Sequence, residues 1–358
     1  MSITPLNNGV LSLVTTDGCT ARCSHCLMNC TPNKKNKLSF EQIQKCVDQA
    51  KKYYDLKSVV FTGGEPTLLG EVLFQAIRYC TLNFLKTKIV TNGHWATNLD
   101  RARQFIEKLR NAGLTEISFS VDDYHEPFIP LERIRNAWIA CKDVGFQTVV
   151  LGNSHGPNDK ITPSFIQEYL GEEILVSGSE LNTSITSIPN DTIYLIVENA
   201  LQKSGRAEEL DEKKFSPYKD QKVLECGCQW AVSDPVLSSI GHLWACCGIP
   251  ADNNSILDLG DTNKENIKTI LNRASKNKLL NAIHYLGPLK LCQFVEEHSN
   301  IRFGKEFCTA CEICSALTNN KKAVQILRDN EKTISAMIRA KRSVAELSNL
   351  LSQNRTDK

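Results

Sequence analysis

Short apolar runs alternate with longer amphipathic stretches through the first half of the chain. The runs fall at Val10–Thr15, Ser58–Phe61, Lys88–Val90, Glu116–Val121 and Gln147–Leu151, lengths that suit buried strands. Between them, Ser39–Tyr54, Glu71–Leu85, Leu99–Ala112, Pro130–Val144 and Pro163–Leu170 space their apolar residues as helices do, the last opened by a cap-like Thr162-Pro163 pair. Repeated strand-helix units predict a parallel sheet with right-handed crossovers, and such a sheet carries its chemistry in the loops after the strands. After about Gly205 the periodicity fades and Gly, Asn, Asp and Cys become frequent, which puts a boundary near residue 210. From Lys321 to Gln353 the pattern predicts a single amphipathic helix, with Leu327, Ile334, Met337, Ile338, Val344, Leu347 and Leu351 on its apolar side.

Composition narrows the class. The chain of 358 residues has room for about two domains. Its 42 basic and 40 acidic residues leave a net charge of +2, which gives no overall field toward nucleic acid or an anionic membrane. No apolar run approaches the roughly 18 residues of a membrane span. The first basic residue is Arg22, so the start lacks the basic region of a secretory signal. Fifteen cysteines, an odd number in a long chain, do not read as a secreted disulfide framework. The expectation is a reducing cytoplasm, where clustered thiols mean metal.

The thiols are clustered at both ends of the chain. Cys46, Cys80 and Cys141 stand alone on helical segments and read as core residues. Cys19-x3-Cys23-x2-Cys26 follows the first strand, and three thiolates at that spacing hold three corners of a four-iron cluster, or of a zinc site that Cys30 would complete. Thr62-Gly63-Gly64-Glu65-Pro66 follows the second strand and so reaches the same mouth. Its glycines permit close approach to a ligand, and its carboxylate suits an ammonium group. Thr91-Asn92-Gly93, after the third strand, lines the mouth or simply makes a turn. Gly152-x-Ser154-x-Gly156 has the form of a hydrolase nucleophile elbow, but Pro157 stands where the elbow needs a helix.

The cysteine motif and the Gly-Gly-Glu-Pro motif together resemble the radical S-adenosylmethionine (radical SAM) superfamily over roughly Leu11 to Leu151. The resemblance implies an α/β fold, a partial (β/α)6 TIM-like barrel, in which SAM chelates the open iron of a 4Fe–4S cluster held by Cys19, Cys23 and Cys26. It implies that Gly63, Gly64, Glu65 and Pro66 surround the SAM amino group, that His25 packs on adenine, and that Ser120 and Asp122 at the fourth strand's end contact ribose.

Cys228-x12-Gly241-x4-Cys246, followed by Cys308-x2-Cys311-x2-Cys314 and preceded by Gly205-Arg206-Ala207, resembles the SPASM or twitch extension of that superfamily. The later spacing is compressed, so Cys226, Cys228, Cys246, Cys292, Cys308, Cys311 and Cys314 would serve one or two auxiliary 4Fe–4S clusters. By ferredoxin logic the Cys308 run takes three corners and a remote thiol the fourth. The organisation expected is a barrel over 1–210, an auxiliary iron-sulfur domain over 211–320 and a C-terminal helix over 321–358. Cys247, beside Cys246, is either a ligand or a free thiol that returns a hydrogen atom to a substrate radical. The resemblance implies hydrogen abstraction from a ribosomally made peptide, giving epimerisation, a thioether or a crosslink, with a flavodoxin- or ferredoxin-type electron donor. Against a peptide, Cys19 leaves little room ahead of it for a peptide-recognition domain. The alternatives are an epimerase or dehydrogenase of a small carbohydrate or aminocyclitol, and a metal-stabilised binding protein.

Overall fold

The computed structural model describes residues 2–177 and 192–356, with side chains as far as Val344. Its first half runs β1 (Val10–Val14), α1 (Phe40–Tyr53), β2 (Ser58–Thr62), α2 (Glu71–Leu82), β3 (Lys86–Thr91), α3 (Leu99–Ala112), β4 (Glu116–Ser120), α4 (Leu131–Ala140), β5 (Thr148–His155) and α5 (Pro163–Leu170), then β6 (Leu175–Ser177) and β7 (Ile193–Ala200). Strands β1, β2, β3, β4, β5 and β7 lie side by side in that order, all parallel, with β6 outside β7. This is the sheet of a partial α/β barrel. The strands bury one alternating set of apolar positions: Leu11, Leu13, Val59, Phe61, Ile89, Ile117, Phe119, Val149, Leu151 and Ile196 are inaccessible to solvent.

The helices cover the sheet because their apolar residues return every three or four positions. Ile43, Val47 and Ala50 line the buried face of α1, and Ala102, Ile106 and Leu109 that of α3. Ser39 and Gln42 form a reciprocal capping box that starts α1, and Thr162 caps α5 with Pro163 at its first turn. Cys46, Cys80 and Cys141 are buried in this layer, and burial pushes the Cys46 and Cys80 thiols up to about 12. They are packing residues. Helix α2 stops at Leu82, short of Leu85, because Asn83 turns its side-chain amide back to the Tyr79 carbonyl and Phe84 takes a left-handed conformation.

The cysteine-rich region adds to the other edge of the same sheet. Strand β8 (Val236–Leu237) pairs parallel with β1, and β9 (His242–Trp244) and β10 (Asp258–Asp261) follow antiparallel. Helices α6 (Ile267–Lys276), α7 (Lys278–Leu286), α8 (Pro288–Glu297) and α9 (Ala310–Asn319) then pack in sequence. The expected single C-terminal helix is two helices, α10 (Lys321–Asp329) and α11 (Glu331–Thr356). Asn330 breaks it: its side-chain amide donates to the Ile326 carbonyl at 2.9 Å, and its own carbonyl receives the first bond of α11, from Ile334. Ile334 and Ile338 are buried as the spacing predicts, while Leu347 and Leu351 lie outside the described side chains.

Phe119 in β4 is the largest side chain directly beneath the strand end that carries Ser120. Phe119→Ala is expected to cost about 3–5 kcal/mol, as removal of a fully buried aromatic ring does. The check is the midpoint of chemical unfolding, which a non-essential core position would leave in place.

Candidate active site

The loops after β1, β2 and β3 are stitched into one surface at the carboxyl ends of the strands. The Gly64 N–H donates to the Thr16 carbonyl at 2.7 Å, and the Glu65 N–H donates to the Gly18 carbonyl at 2.9 Å. Only glycine permits this approach. A Cβ on Gly64 would sit 2.0 Å from the Gly18 oxygen, and Gly63 combines φ +134° with a Cβ position 2.5 Å from the Thr16 oxygen. The glycine pair therefore seats the cysteine loop as well as lining the cavity above it.

Glu65, expected beside an ammonium group, is also engaged within the protein. It is fully buried, and its carboxylate accepts from the Thr67 amide (3.2 Å), the Thr67 hydroxyl (2.6 Å), the Thr91 hydroxyl (2.8 Å) and the Asn92 amide (2.8 Å). With four donors from two loops, its oxygens are committed to joining the β2 and β3 ends. Pro66 opens a buried 3-10 turn, Pro66–Leu69, and like Glu65 it stands behind the cavity wall.

Cys19, Cys23, Cys26 and Cys30 come together above this base. Cys19, Cys23 and Cys30 are buried, and Cys26 is half-buried. Burial pushes the Cys19 thiol up to about 12, whereas the hydrogen bond from the Cys30 thiol brings Cys26 down to about 5. Two backbone amides point at these sulfurs, Ala21 N–H to Cys19 and Cys30 N–H to Cys26, both at 3.4 Å. A nest of four thiols with N–H donors aimed at sulfur is the donor set of a cationic metal centre, and it fits a 4Fe–4S cluster. Arg206 holds the loop from outside. Its guanidinium donates to the carbonyls of Cys23 and Cys30, both at 2.9 Å, and its backbone N–H donates to that of Cys26 at 3.1 Å. Gly205, with φ +61°, lets the chain pass there, since a Cβ would meet the Leu27 oxygen at 2.3 Å.

His25 stacks on Tyr124 with ring centroids 4.6 Å apart and 24° between planes. Its Nε2 lies 3.4 Å from Asp122, while its buried Nδ1 has no partner among the described residues. Ser120 lines the cavity at the end of β4. Asp122, expected at ribose, is nearly inaccessible; it accepts from the Tyr124 and His125 amides and sits 2.9 Å from Nδ1 of His125. Burial alone would raise its carboxyl, but His125 and His25 hold it well below the usual range. Tyr124 is fixed in turn by its hydroxyl donating to Asp159 at 2.7 Å, and Lys214 closes on the same carboxylate at 2.6 Å. These two partners, 35 and 55 residues from the groups they fix, carry no motif that sequence reasoning could have used.

A cavity of about 660 Å³ opens above this surface, and its opposite wall is the cysteine-rich region. There Cys228, Cys246, Cys247, Cys311 and Cys314 lie within electrostatic reach of others of the group; burial pushes each thiol up, and repulsion among them adds to it at Cys246, Cys247, Cys311 and Cys314. Gly248 sits against them: a Cβ there would be 2.6 Å from Cys311 Sγ and 4.0 Å from that of Cys246. Cys311 and Cys314 share a face of α9, whereas Cys308 precedes the helix and packs with Cys19, Cys23, Tyr124 and Phe215. The Cys308-x2-Cys311-x2-Cys314 run is thus divided between two places, because Thr309 caps α9 and the Cys308 amide is held by Glu312 at 2.8 Å. Cys292 is buried on α8 beside Cys314. Cys226 and Cys247 are exposed and line the cavity, as does the buried Cys308. Among the described residues no helix is long and apolar enough to cross a membrane.

Residues 13–160 match the radical SAM superfamily. Over its length the chain is 22% identical to the putative peptide biosynthesis protein YydG of Bacillus subtilis (strain 168), across 320 residues that cover 88% of this chain and 94% of that one. It is also 29% identical, over 174 residues, to the 7,8-dihydro-6-hydroxymethylpterin dimethyltransferase of Methanocaldococcus jannaschii, covering 44% of this chain and 33% of that one. Among solved structures, BtrN in complex with AdoMet and 2-DOIA superimposes with a TM-score of 0.48 at 11% identity, over 81% of this chain and 91% of that one. The thiol nest, the glycine-built cradle beneath it and the family match over the same segment agree: residues 13–160 are a radical SAM superfamily domain, and the cofactors of that superfamily are S-adenosylmethionine and a 4Fe–4S cluster.

Proposed function

We propose that the protein is a peptide epimerase. The observation that carries this reading is one cavity lined both by Cys19, Cys23 and Cys26 and, from the other side, by the thiol of Cys247. With cluster and SAM bound, reductive cleavage supplies a 5′-deoxyadenosyl radical in that cavity. On this reading Gly63, Gly64, His25 and Ser120 bind SAM, with Glu65 and Asp122 holding the loops and rings that meet it. Hydrogen abstraction by that radical would take place at a substrate Cα, and Cys247, which we keep apart from the auxiliary ligands, would donate its S–H hydrogen to the opposite face. One electron from a reduced flavodoxin- or ferredoxin-type donor and one proton restore the Cys247 thiol.

The cavity wall favours a peptide over an aminocyclitol. A cationic sugar calls for carboxylates, and the described lining residues include no Asp, Glu, Lys or Arg; Leu201, Tyr218, Val223, Leu224 and Trp230 form much of the far side. The likeness to a protein called a putative peptide biosynthesis protein along 94% of its length supports the same choice. We further assign one auxiliary cluster to Cys228, Cys246, Cys311 and Cys314 within residues 211–320, which leaves Cys226, Cys247, Cys292 and Cys308 as thiols. Residues 1–210 would then form the SAM unit, with α10 and α11 as the C-terminal helical segment.

Turnover in D2O with short peptides encoded beside the gene tests the reaction. The prediction is one deuterium at the Cα of a D-residue, lost in Cys247→Ala while 5′-deoxyadenosine is still released. A product two mass units lighter, without deuterium, would instead mean crosslink or thioether formation. Iron analysis tests the ligand assignment. The wild type should hold about eight irons and Cys311→Ala about four, at four per cluster, with Cys308→Ala unchanged; loss of iron from Cys308→Ala would show that the division of that run is wrong.

A further inference from the structure

Asn92 reaches a motif thiol with its side chain. Its Nδ2 donates to Cys19 Sγ at 3.6 Å and to the Thr20 hydroxyl at 3.0 Å, and the residue is 4% exposed. The amide cannot be turned the other way without loss, because its Oδ1 accepts from the His94 backbone N–H at 3.0 Å. Its own backbone N–H is held by Glu65 at 2.8 Å, and the neighbouring Thr91 hydroxyl is held by the same carboxylate. Every polar atom that could let Asn92 swing away is engaged.

We propose that Asn92 is a positioning residue that raises the reduction potential of the cluster held by Cys19, Cys23 and Cys26, and that Glu65 acts on the cluster through it. The proposal rests on the radical SAM reading of that site. Reduction adds negative charge to the cluster and its thiolates, so an N–H···S bond is stronger in the reduced state and favours it. The two backbone donors, Ala21 and Cys30, come with the loop whatever its sequence. Asn92 comes from another strand, held in place by the Gly-Gly-Glu-Pro carboxylate. That motif then has two separate tasks: its glycines shape the cradle, and its glutamate aims a donor at sulfur.

The test is an EPR-monitored redox titration of the reconstituted full-length protein, following the iron-sulfur signal that changes when SAM is added. Asn92→Leu keeps the volume and removes the donor. The expected result is an about tenfold smaller equilibrium constant for reduction, a midpoint lower by about 59 mV for a one-electron couple, with the SAM-insensitive signal unmoved. An unchanged midpoint in a variant that holds the SAM-responsive cluster overturns the proposal. Should Asn92→Leu not take up that cluster, Asn92→Asp, which keeps the acceptor for His94, is titrated with the same expectation. If neither variant retains the cluster, Asn92 is structural and the proposal falls. A wild type without any SAM-responsive iron signal would instead overturn the reading of the site itself.

Discussion

A single buried carboxylate ties the reactive end of this barrel together. Glu65 is inaccessible to solvent, yet its oxygens meet four donors drawn from the β2 and β3 loops, while its own amide reaches back to Gly18 in the β1 loop. A buried charge is tolerable only when fully hydrogen-bonded. The three loops consequently have little freedom to separate: releasing the β3 loop would strip donors from that carboxylate, and releasing the β1 loop would leave the Glu65 amide without its acceptor. Rigidity is what a cluster-binding loop needs, because thiolates must meet iron at fixed positions.

The cavity above this base faces thiols on both sides. The barrel supplies one wall and the segments that flank β8 on either side supply the other, and the two are joined by one continuous sheet, with β8 paired to β1. Arg206 and Lys214, which lie on the connection between the two walls, clamp the cysteine loop and the Tyr124 network respectively. This arrangement holds a thiol such as Cys247 in the same cavity as the Cys19, Cys23 and Cys26 loop without relying on a mobile hinge. It also makes the order of cysteines along the chain a poor guide to their grouping in space.

Much of the fold was legible because hydrophobic periodicity reports strands and helices directly: each of the five strand-helix units matched a run of buried residues in the sheet or on a helix face. The thiol motif was legible because its spacing is local. The partners of Glu65 and Asp122 within the protein were not, since Thr91, Asn92 and His25 reach these carboxylates from other loops and carry no local spacing signal. Cys308 was grouped with Cys311 and Cys314 by spacing, and the sequence did not reveal that α9 starts between them. Nor did the amphipathic pattern of the last helix reveal its break at Asn330, a choice made by one side chain's bond to the preceding turn.

The central claim is that this chain performs radical chemistry from the Cys19, Cys23 and Cys26 site. The most direct measurement is 5′-deoxyadenosine release from SAM by the anaerobically reconstituted, dithionite-reduced protein, beside Cys26→Ala. The account predicts release from the wild type and none from the variant. Equal release from both, or none from a wild type whose iron sites are filled and whose peptide substrate is present, would contradict it.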